Sequence, residues 1–301
     1  MKTLSAQLFL IFLITSSGIA LADTPINESR DVEATARVDI SNVRGAVTVS
    51  AWDQARVEVT GTLGEGSKGL EITGNGSRLS IEVKGPDDGG WFNWGSSSRM
   101  QDTILSIRVP TNAELHIDTV SAEITVTGTA GQLLAADSVS GKVRVDSTAR
   151  EVEIGTVSGS VDLSGRGDSV HVETVSGDIE MRANHSRLKF ETVSGNITAA
   201  TGDYSEFTGS SVSGDISIRG NPTGNARISA DTMSGDVRLD MPGELSARID
   251  ADTFSGRIRS DFGSVKEPEH GPGRSLEATV GDGSARMTIE TFSGDITIRR
   301  E

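Results

Sequence analysis

Val170-His171-Val172-Glu173-Thr174-Val175-Ser176-Gly177-Asp178-Ile179-Glu180-Met181 alternates apolar and polar residues on both sides of a Ser-Gly pair. Alternation with a period of two marks a half-buried strand, so the segment predicts two short strands joined by a bend. Gly suits such a bend because it reaches positive φ at little steric cost. The same unit recurs along the chain. Its copies open at Thr119, Ser138, Thr156, Thr174, Thr192, Ser211, Thr232, Thr253 and Thr291, with spacings of 19, 18, 18, 18, 19, 21, 21 and 38 residues. The last spacing is two periods, and a degenerate earlier copy opens at Asn42.

Reading down the columns gives the packing. Four residues before the opening Thr or Ser stand apolar side chains such as Leu115, Val152, Leu188 and Ile249, and five after it stand Ile124, Val161, Ile197 and Ile296. A two-strand unit of 18–21 residues cannot bury its own apolar face, whereas stacking on like neighbours can. The expected fold is all-β: a single parallel β-solenoid of about a dozen coils, 18–21 residues each, over residues 36–301. A propeller blade needs roughly twice this period, and a leucine-rich repeat needs a helical half that is missing here.

Composition narrows the function. The chain has 301 residues, 43 acidic against 28 basic, for a net charge of -15. An acidic surface repels phosphate backbones, so nucleic acid is not an expected partner. The absence of cysteine excludes disulfides, thiolate catalysis and Cys-based metal sites. Residues 1–22 read as a cleavable signal peptide, with Lys2 at the start, an apolar run from Leu8 to Ile14 and a small-x-small site at Ala20-Leu21-Ala22. Its removal takes away one lysine and no acid, moving the charge from -15 to -16. No later run approaches the length of a transmembrane helix. The expected product is exported, periplasmic or extracellular, and begins with a flexible polar segment at 23–35.

Several of these residues carry a family likeness. The Thr-x-Ser-Gly-Asp-Ile units at Thr174–Ile179 and Thr291–Ile296, the Arg108-Val109-Pro110 lead-in and the closing Gly281-Asp282-Gly283-Ser284-Ala285 resemble the bacterial putative-adhesin family, a domain of unknown function found in exported proteins. The resemblance spans roughly residues 36–299 and implies a right-handed parallel β-helix-like fold without an established activity. Glu301 follows the last strand directly, so a self-displaying autotransporter is not expected.

Catalytic signals are sparse. His116 and His171 share a column but stand three coils, about 14 Å, apart, too far to share a metal or relay a proton. Together with His185 and His270 they read as lone surface histidines. No Gly-x-Ser-x-Gly elbow, His-Glu-x-x-His or phosphate loop occurs. The column after the bend Gly mixes signs (Lys142, Asp178, Asp215, Arg257), which reads as a solvated turn rather than an ion ladder. No catalytic residue, metal site or cofactor is expected.

Two features point to binding. Immediately before the opening residue stand seven carboxylates in nine copies: Asp118, Asp137, Glu173, Glu191, Asp231, Asp252 and Glu290. Stacking lines them up at about 4.8 Å intervals, either as a solvated face that keeps the rod soluble or as a surface for divalent cations or a basic envelope partner. The loop 85–102 holds Trp91, Phe92 and Trp94, which either stack on a sugar or partner or fold back over the solenoid. A second insert, 261–275, reads as a surface loop. The expected function is that of a non-enzymatic, adhesin-like structural or interaction protein of the cell envelope, binding an envelope protein or glycan. A carbohydrate-binding or carbohydrate-cleaving β-helix is the alternative, and a cation-responsive envelope protein a third reading. Without an evident helical cap, self-association of the rods end to end stays open.

Overall fold

The computed structural model describes residues 24–85, 100–267 and 271–301. Residues 1–22, expected to be a signal peptide, and the aromatic trio Trp91, Phe92 and Trp94 lie outside the described residues. Those described form twenty strands and no helix. The all-β solenoid expected from the repeat is the fold observed.

Each copy contributes one rung, and rungs pair in parallel with their columns aligned. Leu134 pairs with Val152, Val152 with Val170, Val170 with Leu188, and Leu188 with Phe207, keeping one apolar column continuous. The second strands do likewise, Val143 pairing with Val161, Ile179 and Ile197 in turn. These columns form one continuous core, in which Ile124, Leu134, Val152, Phe190 and Ile197 are all at most 1% exposed. Volume is conserved across rungs as well as within them. Phe190 meets Phe207 edge to face, with ring centroids 6.1 Å apart. A side chain at Gly209 would collide with the Phe207 ring two residues earlier on the same strand, so the missing side chain makes room for its own rung's large one.

The order of rungs in space departs from the order in sequence at both ends. Thr232 pairs with Thr291, and Thr291 with Thr253, so the last copy of the chain is inserted between the two copies that precede it. At the other end Arg37–Trp52, the degenerate copy, lies between the coil made by Arg78–Lys84 and Thr103–Pro110 and the rung of Thr119. Eleven parallel rungs result. The rod ends are covered by antiparallel strands. Gly69–Gly74 and Arg56–Leu63 flank one end, and Arg274–Val280 lies against Ala247–Thr253 at the other. An antiparallel neighbour breaks the column register, which blunts the edge that a further rung would need. Thr24–Asp31, expected within a flexible segment, is instead a strand paired with Arg56–Leu63, because its backbone completes that edge.

The bend explains the repeat's recurring letters, and corrects one expectation. Gly159, Gly177 and Gly195 do not have positive φ. They are Gly because a Cβ on each would strike the carbonyl oxygen of the Gly one rung earlier. The opening Thr braces the same bend. Thr156, Thr174 and Thr192 each accept the N–H of the Gly three residues on, at 2.9, 3.0 and 3.0 Å. Thr232, Thr253 and Thr291 donate across to a Gly carbonyl of a neighbouring rung. Ala122, the exception in the Gly column, lies over Gly45, whose φ of +112° takes that rung along another path. The column after the Gly is a solvent-exposed turn, and from Asp178 onward it is also a ladder of acceptors. Asp178 accepts the backbone N–H of Asn196, Asn196 that of Asp215, Asp215 that of Asp236, Asp236 that of Asp295, and Asp295 that of Arg257. A carboxylate or amide serves equally as acceptor, which is why signs mix without breaking the ladder.

Candidate functional site

The bend edge of the rod carries the site. Each strand that enters a bend points its opening Thr or Ser inward, so the residues one before and one after it both face out. The residue before is the acidic column. The residue after is apolar: Val157, Val175, Val193 and Val212 are 45–47% exposed, Met233 61%, Phe254 49% and Phe292 57%. In spatial order these seven stand on consecutive rungs, a row of about 29 Å. The inserted rung brings Phe292 onto Phe254, stacked at 4.8 Å with the rings 9° from parallel.

Between the two rows runs a groove with one apolar and one acidic wall. Its middle section, about 460 Å³, lies along Asp137, Glu173 and Glu191 on one side and Val157, Val175 and Val193 on the other. Its end section, about 970 Å³, lies along Asp231, Glu290 and Asp252 facing Met233, Phe292 and Phe254. Lys266, Glu267 and Arg274 of the second insert close that end. Arg274 donates to Glu267 at 2.8 Å and to the Gly256 carbonyl, which holds the insert against the bend.

The carboxylates differ along their row. Burial pushes Asp118 and Asp137 above the usual carboxylate range, and for Asp137 the neighbouring Asp118 adds to the shift. Gly155 makes room there, since a Cβ on it would overlap the Asp137 carboxylate. Asp252 is likewise raised by burial, with Asp250 adding to it. Glu191 is lowered, chiefly by the hydrogen bond from Lys189. Among the described residues, Asp118, Asp137, Asp231, Asp252 and Glu290 make no ion pair with a Lys, Arg or His.

One trio has metal-ligand proximity: the donor atoms of His171, Glu173 and Glu191 lie within 4.8 Å of one another. His171 Nε2 is 2.9 Å from Glu173 and 3.4 Å from Glu191, and Lys189 takes Glu191 at 2.9 Å. Lys189 and the His171 ring therefore already engage the two carboxylates. His171 is thus part of a network of polar contacts rather than a lone histidine. His185 is not on the surface either. It is 1% exposed, in register with Gly167, and neither ring nitrogen has a partner. Burial holds its pKa below the usual histidine value.

A comparison of sequences places this architecture. Residues 35–299 match the model of the Toastrack DUF4097 family. The chain belongs to the Toastrack DUF4097 family. No curated protein matches it. Solved structures similar to it include one from Parabacteroides distasonis named a putative lipid binding protein, 15% identical, covering 92% of this chain and 97% of that one, with a TM-score of 0.49. A second from the same species, named a putative adhesin, is 11% identical, covers 93% and 98%, and has a TM-score of 0.45. A third, a putative adhesin from Bacteroides fragilis, is 12% identical, covers 92% and 98%, and has a TM-score of 0.36.

On this Toastrack chain the seven expected carboxylates fall in one line, each paired in register with the next rung's residue. Gly155 and Ser210 interrupt the line. The sequence reading missed the apolar row. Its signal was there: Val175 is two residues from Glu173, so strand parity puts both on the outer face.

Proposed function

We propose that this Toastrack protein is an exported, non-enzymatic interaction module of the bacterial cell envelope, adhesin-like in that it holds a partner protein or glycan on its bend edge. The observation that carries the reading is the row of seven exposed apolar side chains beside an acidic row. Apolar side chains scattered singly on a surface need no explanation, but a contiguous rank of them marks a contact surface.

The test is a pull-down from isolated envelopes with the purified protein and with a Val193→Ser, Phe254→Ser, Phe292→Ser variant, alongside product analysis on envelope polysaccharides. All three positions are 46–57% exposed, so the variant keeps the core intact. The expected outcome is a specific partner lost in the variant and no cleavage products. Equal recovery by both proteins removes the bend edge from the reading, and cleavage products turn it to the carbohydrate-active alternative.

A further inference from the structure

We propose that the occupant of the groove is an extended polypeptide segment in which basic and apolar side chains alternate. The inference rests on the reading of the bend edge as a binding surface and names the chemistry of what binds there.

Width argues for an extended chain. The acidic and apolar rows are two residues apart on each strand, about 6.6 Å, whereas a helix with side chains is about 10 Å across. A single extended chain laid along the rod sends successive side chains to opposite sides, one set to each wall. The walls then select the residues. Among the described residues, Asp137, Asp231, Asp252 and Glu290 on the acidic wall make no ion pair with a Lys, Arg or His, and a Lys or Arg from outside supplies one. Val157, Val175, Val193, Val212, Met233 and the Phe254–Phe292 stack supply an apolar wall for Val, Ile or Phe.

The backbone of the bend offers little else. Ser158, Ser176 and Ser194 N–H groups already donate to Val139, Val157 and Val175 on the rung before. Strand addition is therefore unavailable, and side chains carry recognition. Charge also decides against two other occupants. A second copy of a chain with net charge -15 would set carboxylates against carboxylates, and an anionic lipid surface would be repelled in the same way. The seven rungs on which both walls stand, from Val157 to Phe254, span about 29 Å, which accommodates about nine extended residues.

The experiment is fluorescence anisotropy with a labelled nine-residue peptide of alternating Lys and Val, and with a peptide of alternating Lys and Ser that has the same charge. The Lys-Val peptide is expected to bind about tenfold or more tightly than Lys-Ser, since a few buried Val side chains suffice for that ratio. Phe254→Ser with Phe292→Ser, and separately Asp231→Asn with Asp252→Asn, each weaken it about fivefold or more, and added salt weakens it further. An unchanged Tm shows that the variants remain folded. Equal affinity for the two peptides, or variants that bind like the parent protein, overturns the proposal. So does a dimer in sedimentation, or capture by anionic vesicles, that the Phe variant abolishes. The two readings fail separately. If the envelope partner is lost in the row variant while neither peptide binds, only the occupant's chemistry is wrong. If the partner is retained, the bend edge itself is wrong.

Discussion

Adding one methyl group to the bend tests how the solenoid is held together. In Gly195→Ala the new Cβ would stand 1.9 Å from the Gly177 carbonyl oxygen, where real Cβ contacts stay beyond 3.0 Å. The two rungs must part by about 1.1 Å at this point. Among the hydrogen bonds that tie them here, two flank Gly195 directly, Ser194 N–H to the Val175 carbonyl at 3.0 Å and Asn196 N–H to Asp178 Oδ1 at 2.8 Å. Stretched by that amount, neither remains a hydrogen bond. Each contributes about 0.5–1.5 kcal/mol, and overpacking costs about 1–3 kcal/mol more, for about 2–6 kcal/mol in all. That is a large part of the roughly 5–15 kcal/mol of an ordinary domain. Urea unfolding followed by circular dichroism reads it, with Gly224→Ala as the control. At Gly224 an added Cβ meets nothing within 4 Å, so the control shifts stability by less than about 1 kcal/mol, in the stabilising direction. If Gly195→Ala unfolds within about 0.5 kcal/mol of the parent protein, close approach is not what the repeat's Gly is for.

Two further outcomes follow from single residues. His185 is buried without a hydrogen bond, and its folded pKa lies below the unfolded value of 6.5. As pH falls below 6.5 the unfolded chain takes up the proton first, so stability drops by at most about 1.4 kcal/mol per pH unit. Thermal midpoints at several values between pH 7.5 and 5.5 should fall less steeply in His185→Leu than in the parent, and parallel curves would contradict the assignment. In the acceptor ladder, Asp236→Ala leaves the Asp295 N–H without its acceptor and should cost about 1 kcal/mol in urea unfolding, while Asp236→Asn keeps an acceptor and costs less. Equal losses would mean that charge, not acceptance, is what Asp236 supplies.

Among the site residues, the acidic row was legible because a period near 18 residues fixes which side chains stack. The neighbouring apolar row was equally encoded by parity, yet Val175 and its equivalents look like motif letters until their exposure is seen. The role of the bend Gly was not legible. Gly satisfies both a positive φ and a close approach, and only the position of the neighbouring carbonyl tells them apart. His185 looked like a surface histidine because its neighbours Asn184 and Ser186 are polar. Its register with Gly167, which leaves space beneath it, comes from another rung.

The sequence by itself determined that the chain is a stack of two-strand rungs. Alternation sets the strands, and a unit too small to bury its own apolar face must stack. It could not determine the order of the stack. Every rung presents the same Thr, Gly and apolar columns, so any copy fits on any other, and local pattern carries no address. The tertiary structure placed Thr291 between Thr232 and Thr253, and Arg37–Trp52 inside the coil that follows it in sequence. The antiparallel edge strand Arg274–Val280 holds the outermost rung and returns the chain to the slot beneath it. That insertion sets Phe292 on Phe254 and builds the wide end of the groove, because it brings together residues 38 positions apart.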